Sequence, residues 1–339
     1  APGGTIDTND FTPTIAQGIT GAGGLTVTGA GMLTLTGANA YAGGTTIAQG
    51  ARLRIGAGGT SGSILGAVRN DGTLVFDRAG TLGFDGAITG RGSVEQNGPG
   101  TTVLNGQASY TGETRVNAGT LRAGAAGVFS AASVHIVGAG GVLDLDDRDQ
   151  AIGGLVNAGF TTLGHVPGTV LTVNGNIVGQ GGVIGLTTYL GGDNSPTDRI
   201  RLVGGTASGT SFLRITNAGG PGALTLGDGI RVLEATSGAT TAPGAFRLES
   251  RVVAGAYEYQ LFRGGSTSGE DWFLRSSLPA GPGQEAVPLY RPEVALYAPI
   301  PAMMRQMGMA TLGTLHARVG EEENIRGLES GSPYVNGAW

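Results

Sequence analysis

Apolar residues in this chain recur at every second position in short runs, and glycine, asparagine or aspartate ends each run. Leu25/Val27, Leu33/Leu35, Leu53/Ile55, Leu74/Phe76, Leu82/Phe84 and Leu143/Leu145 carry the pattern. A period of two puts alternate side chains on one face of a strand, so these runs read as strands with one buried face. Glycine adopts positive φ without steric cost and lets the chain turn sharply after each strand. A longer period overlies the short one. Residues 21–58 realign on 90–124 with Tyr41 on Tyr110, Gly29 on Gly98, Leu35 on Leu104, Ile47 on Val116 and Gly50 on Gly119, an offset of 69. Short, evenly spaced strands with glycine corners predict a β-solenoid. Dividing the offset into three coils of 23 predicts a three-sided parallel β-helix. Roughly 200 residues then give about nine coils stacked at about 4.8 Å, a rod about 40–45 Å long.

Composition removes the alternatives. Glycine supplies 67 of 339 residues, far above the ordinary ~7%, yet it does not recur every third residue as collagen requires. The chain is 40% hydrophobic and 13% charged, and its apolar residues are periodic, which disordered chains are not. A net charge of −5, with all 20 basic residues arginine, leaves no basic footprint for nucleic acid. There is no cysteine, hence no disulfide framework. The chain opens APGGTIDTND with neither initiator Met nor leader, the expectation for a processed or internal segment. No apolar run reaches the ~18 residues of a membrane-spanning helix.

Candidate chemical sites are few. Asp144, Asp146, Asp147 and Asp149 cluster beside Arg148. They read first as a polar corner, and otherwise as a Ca²⁺ site or an acidic lyase cleft, although no calcium-loop spacing is present. His135, His165 and His316 share no ligand spacing. No serine lies in G-x-S-x-G and no lysine exists for a Walker A loop. No catalytic, cofactor or metal site is expected.

From Asp198 the strands lengthen: Arg199–Val203, Phe212–Thr216, Ile230–Ala235, Phe246–Val253, Ala256–Arg263 and Trp272–Arg275. Gly264–Gly269 reads as a hairpin loop. The segment 254–275 is the densest in aromatics, with Tyr257, Tyr259, Phe262, Trp272 and Phe273. A solenoid has two open ends that must be capped, and this segment is the predicted cap. Leu278–Pro288, with three prolines, reads as a linker. Pro301 suits the first turn of a helix, along which Met304, Met307, Leu312, Leu315 and Val319 recur at near-helical spacing before Gly320.

These motifs resemble those of type Va, pertactin-like autotransporter passengers. Gly24-Leu25-Thr26-Val27, Gly37–Ile47 and Gly50–Gly56 are similar to the passenger-associated β-strand repeat; Gln107–Thr114 departs from its Asn-x-Tyr-x-Gly-Gly-Thr core. Ala254–Leu261 and Asp271–Arg275 resemble the autochaperone region, and Leu289–Gly320 the segment joining passenger to translocator. Asn336-Gly337-Ala338-Trp339 resembles the start of the first barrel strand. The family's self-cleavage at an Asn-Asn pair is not expected, because Asn324 stands alone.

The resemblance implies an all-β fold: a right-handed parallel β-helix over 1–197 and an autochaperone with a β-hairpin cap over 198–276. A linker over 277–298, a pore helix over 299–327 and the first barrel residues over 328–339 follow. It implies folding roles for Gly255, Tyr257, Tyr259, Leu261, Trp272 and Leu274, and a place for the Met304–Val319 helix inside a 12-stranded outer-membrane barrel. It also implies barrel-assembly machinery, periplasmic chaperones and a receptor on a host or neighbouring cell as partners, with no cofactor. The expected role is export and surface display of a non-enzymatic, adhesin-like stalk. The alternatives are a stalk for an enzyme preceding Ala1 and a β-helix polysaccharide lyase.

Overall fold

The computed structural model describes residues 3–278 and 285–311, which fall into two units, Ala1–Leu289 and Tyr290–Trp339. The first unit is a parallel β-solenoid of about nine turns. Its strands stack in three columns. One runs through Gly4–Asp7, Leu25–Thr28, Thr45–Ile47, Val68–Asn70 and Ile88–Thr89, and resumes as Gln150–Ile152, Val170–Val173, Arg199–Val203 and Ile230–Thr236. The second runs from Thr14–Ile15 and Met32–Leu35 through Thr73–Phe76 and Ser93–Gln96 to Thr240–Thr241. The third holds Thr81–Phe84, Thr101–Leu104, Phe160–Thr162 and Phe246–Leu248. Long strands such as Thr114–Ala123 and Val134–Asp144 run through the corner between the second and third columns. A register shift between Val116 and Ala118 absorbs that bend.

The inward positions of the second column form one ladder: Leu33 on Leu53, Leu53 on Leu74, Leu74 on Val94, Val94 on Thr114, Thr114 on His135 and His135 on Leu155. Each is buried, and neighbours such as Arg52, Arg54, Thr73, Ser93 and Glu95 lie outside the core, so the period-two pattern fixes the inward face. At one corner, glycine is forced by close approach. A Cβ on Gly86 would lie 1.8 Å from the Gly66 carbonyl oxygen, and one on Gly106 2.3 Å from that of Gly86.

The register corrects the coil length. Leu33, Leu53, Leu74 and Val94 are successive partners, so a coil here takes 20 or 21 residues, not 23. The 69-residue offset is therefore three coils plus one further strand. Leu25 lies in the first column and its repeat-mate Val94 in the second. The repeat is a strand-and-corner unit that works at more than one corner. In both copies a buried tyrosine hydroxyl bonds the threonine four residues on: Tyr41 to Thr45 at 2.7 Å and Tyr110 to Thr114 at 2.6 Å. Further along, coils lengthen: Ile177 pairs with Ala207 and Ala207 with Thr241.

The strand expected over Phe246–Val253 is two, Phe246–Leu248 and Val252–Ala254, because the chain leaves the third column at Glu249 and reverses. Part of the stretch expected as linker is strand as well. Ser277–Leu278 pairs antiparallel with Val287–Pro288, and the Glu258 amide donates to the Leu289 carbonyl at 2.8 Å. In the second unit, Val294–Tyr297 is a short helix and 300–311 is helical with exposed side chains.

Candidate functional site: the C-terminal cap

In the first column parallel stacking ends at Ile230–Thr236. Its free edge is taken by Trp272–Arg275 running antiparallel, with Ile230 opposite Leu274 and Arg231 opposite Phe273. Tyr257–Arg263 pairs antiparallel with Trp272–Arg275 and with Val252–Ala254. The loop between its two long strands closes through Gly264 N to Asp271 O at 2.8 Å and Gly265 N to Ser268 O at 2.9 Å. An antiparallel hairpin satisfies the last coil's backbone groups and presents no copy of the coil outline for another to follow.

The six residues expected to carry the cap converge. Gly255 turns the chain between Val252–Ala254 and Tyr257–Arg263 at φ +55°, and a Cβ there would sit 2.3 Å from the Pro221 carbonyl oxygen. Conformation and space both demand glycine. Tyr259 is fully buried opposite Val252. Its hydroxyl lies 2.8 Å from the Gly191 carbonyl and 3.0 Å from that of Ala223, and accepts from the Ala223 amide at 3.0 Å. Burial raises its phenol above the usual range. Trp272 packs edge-on against Phe246, centroids 5.4 Å apart, and donates its indole N–H to Thr241 Oγ1 at 3.0 Å. Leu274 is fully buried, while Tyr257 and Leu261 are half-buried against the same core.

Arg275, Asp271 and Thr241 were not singled out as site residues by sequence reasoning. The Arg275 guanidinium lies 5.5 Å from the ring centres of both Phe262 and Phe273. It donates to the Asp228 carbonyl at 2.7 Å and the Gly264 carbonyl at 2.8 Å. Burial lowers its pKa, opposed by Asp228 and Asp193. The hydroxyl of Ser266 donates to Asp228, which holds that carboxyl below its usual range. Asp271 is buried and accepts from the Ala235 amide at 2.9 Å beside the strand irregularity between Arg231 and Leu233. Thr241 Oγ1 accepts from Trp272 and from Arg263 Nε at 3.0 Å. Aromatic density and the Asp271–Arg275 motif marked this region in sequence; the partners of Arg275 lie at Asp228 and Gly264, invisible without the fold.

The other candidates stay apart. Met304 and Met307 are exposed on the 300–311 helix, and Leu312, Leu315, Val319, His316, Asn324 and Asn336–Trp339 lie outside the described residues. The aspartate cluster is spent on local bonds: Asp144 on Arg122 Nε, Asp147 on the His165 and Val166 amides, Asp149 on the Val170 amide. Among the described residues no group of three or more His, Cys, Asp or Glu side chains is placed to hold a metal, and no helix is long and apolar enough to cross a membrane. His135 is in the rod core and His165 on the surface.

A capped, parallel solenoid built from a portable repeat defines a class of secreted passenger, and sequence comparison places the chain in it. Residues 25–55 and 94–123 match the Passenger-associated-transport-repeat family, and residues 155–261 match the Autochaperone Domain Type 1 family. The chain belongs to the type Va autotransporter passengers. It is similar to the Adhesin BmaC autotransporter of Brucella suis biovar 1 (strain 1330), 34% identical over 94% of this chain and 10% of that protein. It is also similar to the Autotransporter adhesin AIDA-I of Escherichia coli, 39% identical over 39% of this chain and 10% of that protein. The chain thus spans about a tenth of the length of these relatives. The solved Haemophilus influenzae Hap adhesin is similar over 76% of this chain and 33% of that one, with 16% identity and a TM-score of 0.43. That likeness is too loose to add to the assignment.

Proposed function

We propose that the cap is the folding nucleus of a surface-displayed stalk, and that 198–276 is its autochaperone segment. One observation carries the reading. The cap joins residues remote in sequence, Tyr259 to Gly191 and Ser276 to Thr225, whereas the coils before it bond mainly to the next coil. A coil has little to pack on until a neighbour exists, so a stack needs one end that closes on itself. The cap closes one edge and leaves the other as a template. In this reading the C-terminal end emerges first from a 12-stranded outer-membrane barrel and folds outside. Coils then add one by one, each burying a rung of the Leu33–Leu53–Leu74–Val94 ladder, and that burial biases movement outward.

Gly255, Tyr257, Tyr259, Leu261, Trp272 and Leu274 are folding residues in this account. Met304, Met307, Leu312, Leu315 and Val319 are the residues that occupy the barrel pore; 277–298, apart from the paired Ser277–Leu278 and Val287–Pro288, is the linker, and 328–339 leads into the barrel. The stalk stands at the cell surface of a Gram-negative bacterium as a non-enzymatic adhesin, with barrel-assembly machinery and periplasmic chaperones serving its export and a receptor on another cell as its target. The names of BmaC and AIDA-I support adhesion. The test is deletion of Asp198–Arg275 from the protein expressed with its barrel. The expected product is protease-sensitive or poorly displayed. A normally displayed, protease-resistant rod would overturn the proposal.

A further inference from the structure

Where the solenoid first departs from its short coil, the loop 189–197 leaves the stack and returns through paired Thr188 and Thr197. Bonds along its length hold it in shape. Thr188 Oγ1 and Thr197 Oγ1 are 2.7 Å apart, the Tyr189 amide donates to the Pro196 carbonyl at 2.8 Å, Ser195 Oγ donates to the Gly192 carbonyl at 2.8 Å, and the Asn194 amide donates to the Gly229 carbonyl at 3.1 Å. Asn194 sits at φ +58°, a conformation a non-glycine residue adopts at some cost. Beside the loop is a cavity of about 260 Å³ lined by Gly168, Asn194, Ser195, Thr197, Arg199 and Arg231.

The arginines in this cavity are less closely neutralised than several others on the rod. Arg52, Arg54, Arg122 and Arg214 each meet a carboxylate at hydrogen-bond distance. Around the cavity, Arg201 takes Glu234 at 2.9 Å, which leaves Arg199 at 3.9 Å from that carboxylate and Arg231 at 3.6 Å. Arg231 reaches Asp271 at 3.4 Å. Three guanidinium groups therefore share two carboxylates. Among the described residues the Arg199 guanidinium makes no hydrogen bond, and its Nε is buried without a partner. A buried N–H without an acceptor is costly and is ordinarily satisfied. Strand alternation turns the buried Asp198 inward, where its oxygens accept from the Gly168, Thr169 and Thr187 amides, so that carboxylate is already engaged with backbone and pairs with no cavity arginine.

We infer that this cavity binds a saccharide carrying a carboxylate or sulfate group, with the acidic group on Arg199 and Arg231 and the sugar hydroxyls against Asn194, Ser195 and Thr197. The forked guanidinium suits an oxoanion. The space equals the liquid volume of roughly nine waters, more than a bare oxoanion fills, and the short polar side chains at its rim suit hydroxyls. Binding here does not depend on whether the cap nucleates folding.

Calorimetric titration of the full chain tests it, with a galacturonate disaccharide, a sulfated disaccharide, their neutral parent and inorganic sulfate as probes. Both acidic sugars should bind, the neutral parent should not, and inorganic sulfate should be ~10-fold weaker or worse. Arg199→Gln should weaken the acidic sugars by ~10-fold or more. Arg199→Lys, which keeps the charge and loses the fork, should fall between and carries the test if the glutamine variant does not fold. Arg91→Gln, at an exposed arginine on an earlier coil, should bind like the parent chain. Sulfate binding as tightly as the sulfated sugar would overturn the saccharide assignment. Equal binding of the neutral parent, or undiminished binding by both Arg199 variants, would overturn the site.

Discussion

The coils and the cap solve the same problem, burying short apolar strands without disulfides, by opposite means. In the coils the stacking contacts repeat at a step of about one turn: Leu33 on Leu53, Leu53 on Leu74, Thr8 on Thr28. The cap is made of single contacts that occur once: Trp272 on Phe246, Tyr259 on Gly191, Arg275 between Phe262 and Phe273. A repeating stack has no preferred starting point, because its energy is a sum of like nearest-neighbour terms. In the proposed reading the cap supplies what the repeat lacks, a place where folding begins. Matched substitutions in the two regions should break this contrast if it is false. Trp272→Ala should cost ~3–5 kcal/mol and Leu53→Ala ~2–5 kcal/mol, so their equilibrium effects overlap. Their kinetics should not. Trp272→Ala should slow refolding with φ of about 0.5 or more, and Leu53→Ala should mainly speed unfolding with φ below about 0.3. Stopped-flow refolding and unfolding across urea gives both. A slower refolding arm for Leu53→Ala than for Trp272→Ala would place the nucleus in the coils.

The coils have one weak rung, and pH exposes it. His135 occupies an inward position between Thr114 and Leu155, with Nδ1 3.1 Å from the Ser133 carbonyl and Nε2 buried without a partner. Burial lowers its pKa to about 4 from 6.5. The unfolded chain therefore binds the extra proton first as pH falls. The neutral rung's contribution is complete above about 6.5, declines as pH drops toward 4, and is lost below that. The expected loss is about 3 kcal/mol at most. His135→Leu should flatten stability between pH 6.5 and 4 relative to the parent chain in urea melts. An unchanged slope would remove His135 as its source. Asp198, raised by burial, contributes with the opposite sign: its stabilisation is present at low pH and lost as pH rises through its folded value. The histidine variant must therefore be compared with the parent and not with a flat line.

Much of this contrast was legible in the sequence because both regions advertise themselves locally. Alternation at Leu33/Leu35 and Leu53/Ile55 gives strands whose inner face is fixed, and the strand Arg199–Val203 falls where the pattern puts it. The aromatic cluster at 254–275 marked the cap. What was hidden depends on long-range register. The 69-residue offset looked like whole coils because the Tyr–Thr corner repeats faithfully, yet the second copy lies in a different column. Arg275 was visible as the last residue of the Asp271–Arg275 motif, but its contacts require Asp228 and two rings to be in place. The pairing of Ser277–Leu278 with Val287–Pro288 was masked by the prolines around it, which locally read as a linker. Arg199 was visible only as the first residue of the Arg199–Val203 strand, and the competition of Arg201 for Glu234 arises from the fold.

The smallest expected effect concerns the repeat itself and separates its local device from its surroundings. Removing the hydroxyl in Tyr41→Phe leaves Thr45, which is buried, without its tyrosine partner. In Tyr110→Phe, Thr114 keeps Ser133 Oγ at 2.8 Å. An orphaned buried hydroxyl costs more than a lost bond whose other group stays satisfied. Tyr41→Phe should therefore cost about 1–2 kcal/mol and Tyr110→Phe about 0.5–1 kcal/mol, although Tyr110 is the more deeply buried, its phenol pushed up to about 12. Burial alone would predict the reverse order. Replacing both partners by apolar groups of like shape removes the orphan, so Tyr41→Phe combined with Thr45→Val should be more stable than Tyr41→Phe by itself. Urea midpoints of the four chains decide it. If Tyr110→Phe is the costlier single change, the polar cluster of the rod interior, and not the portable corner, sets the energy of the repeat.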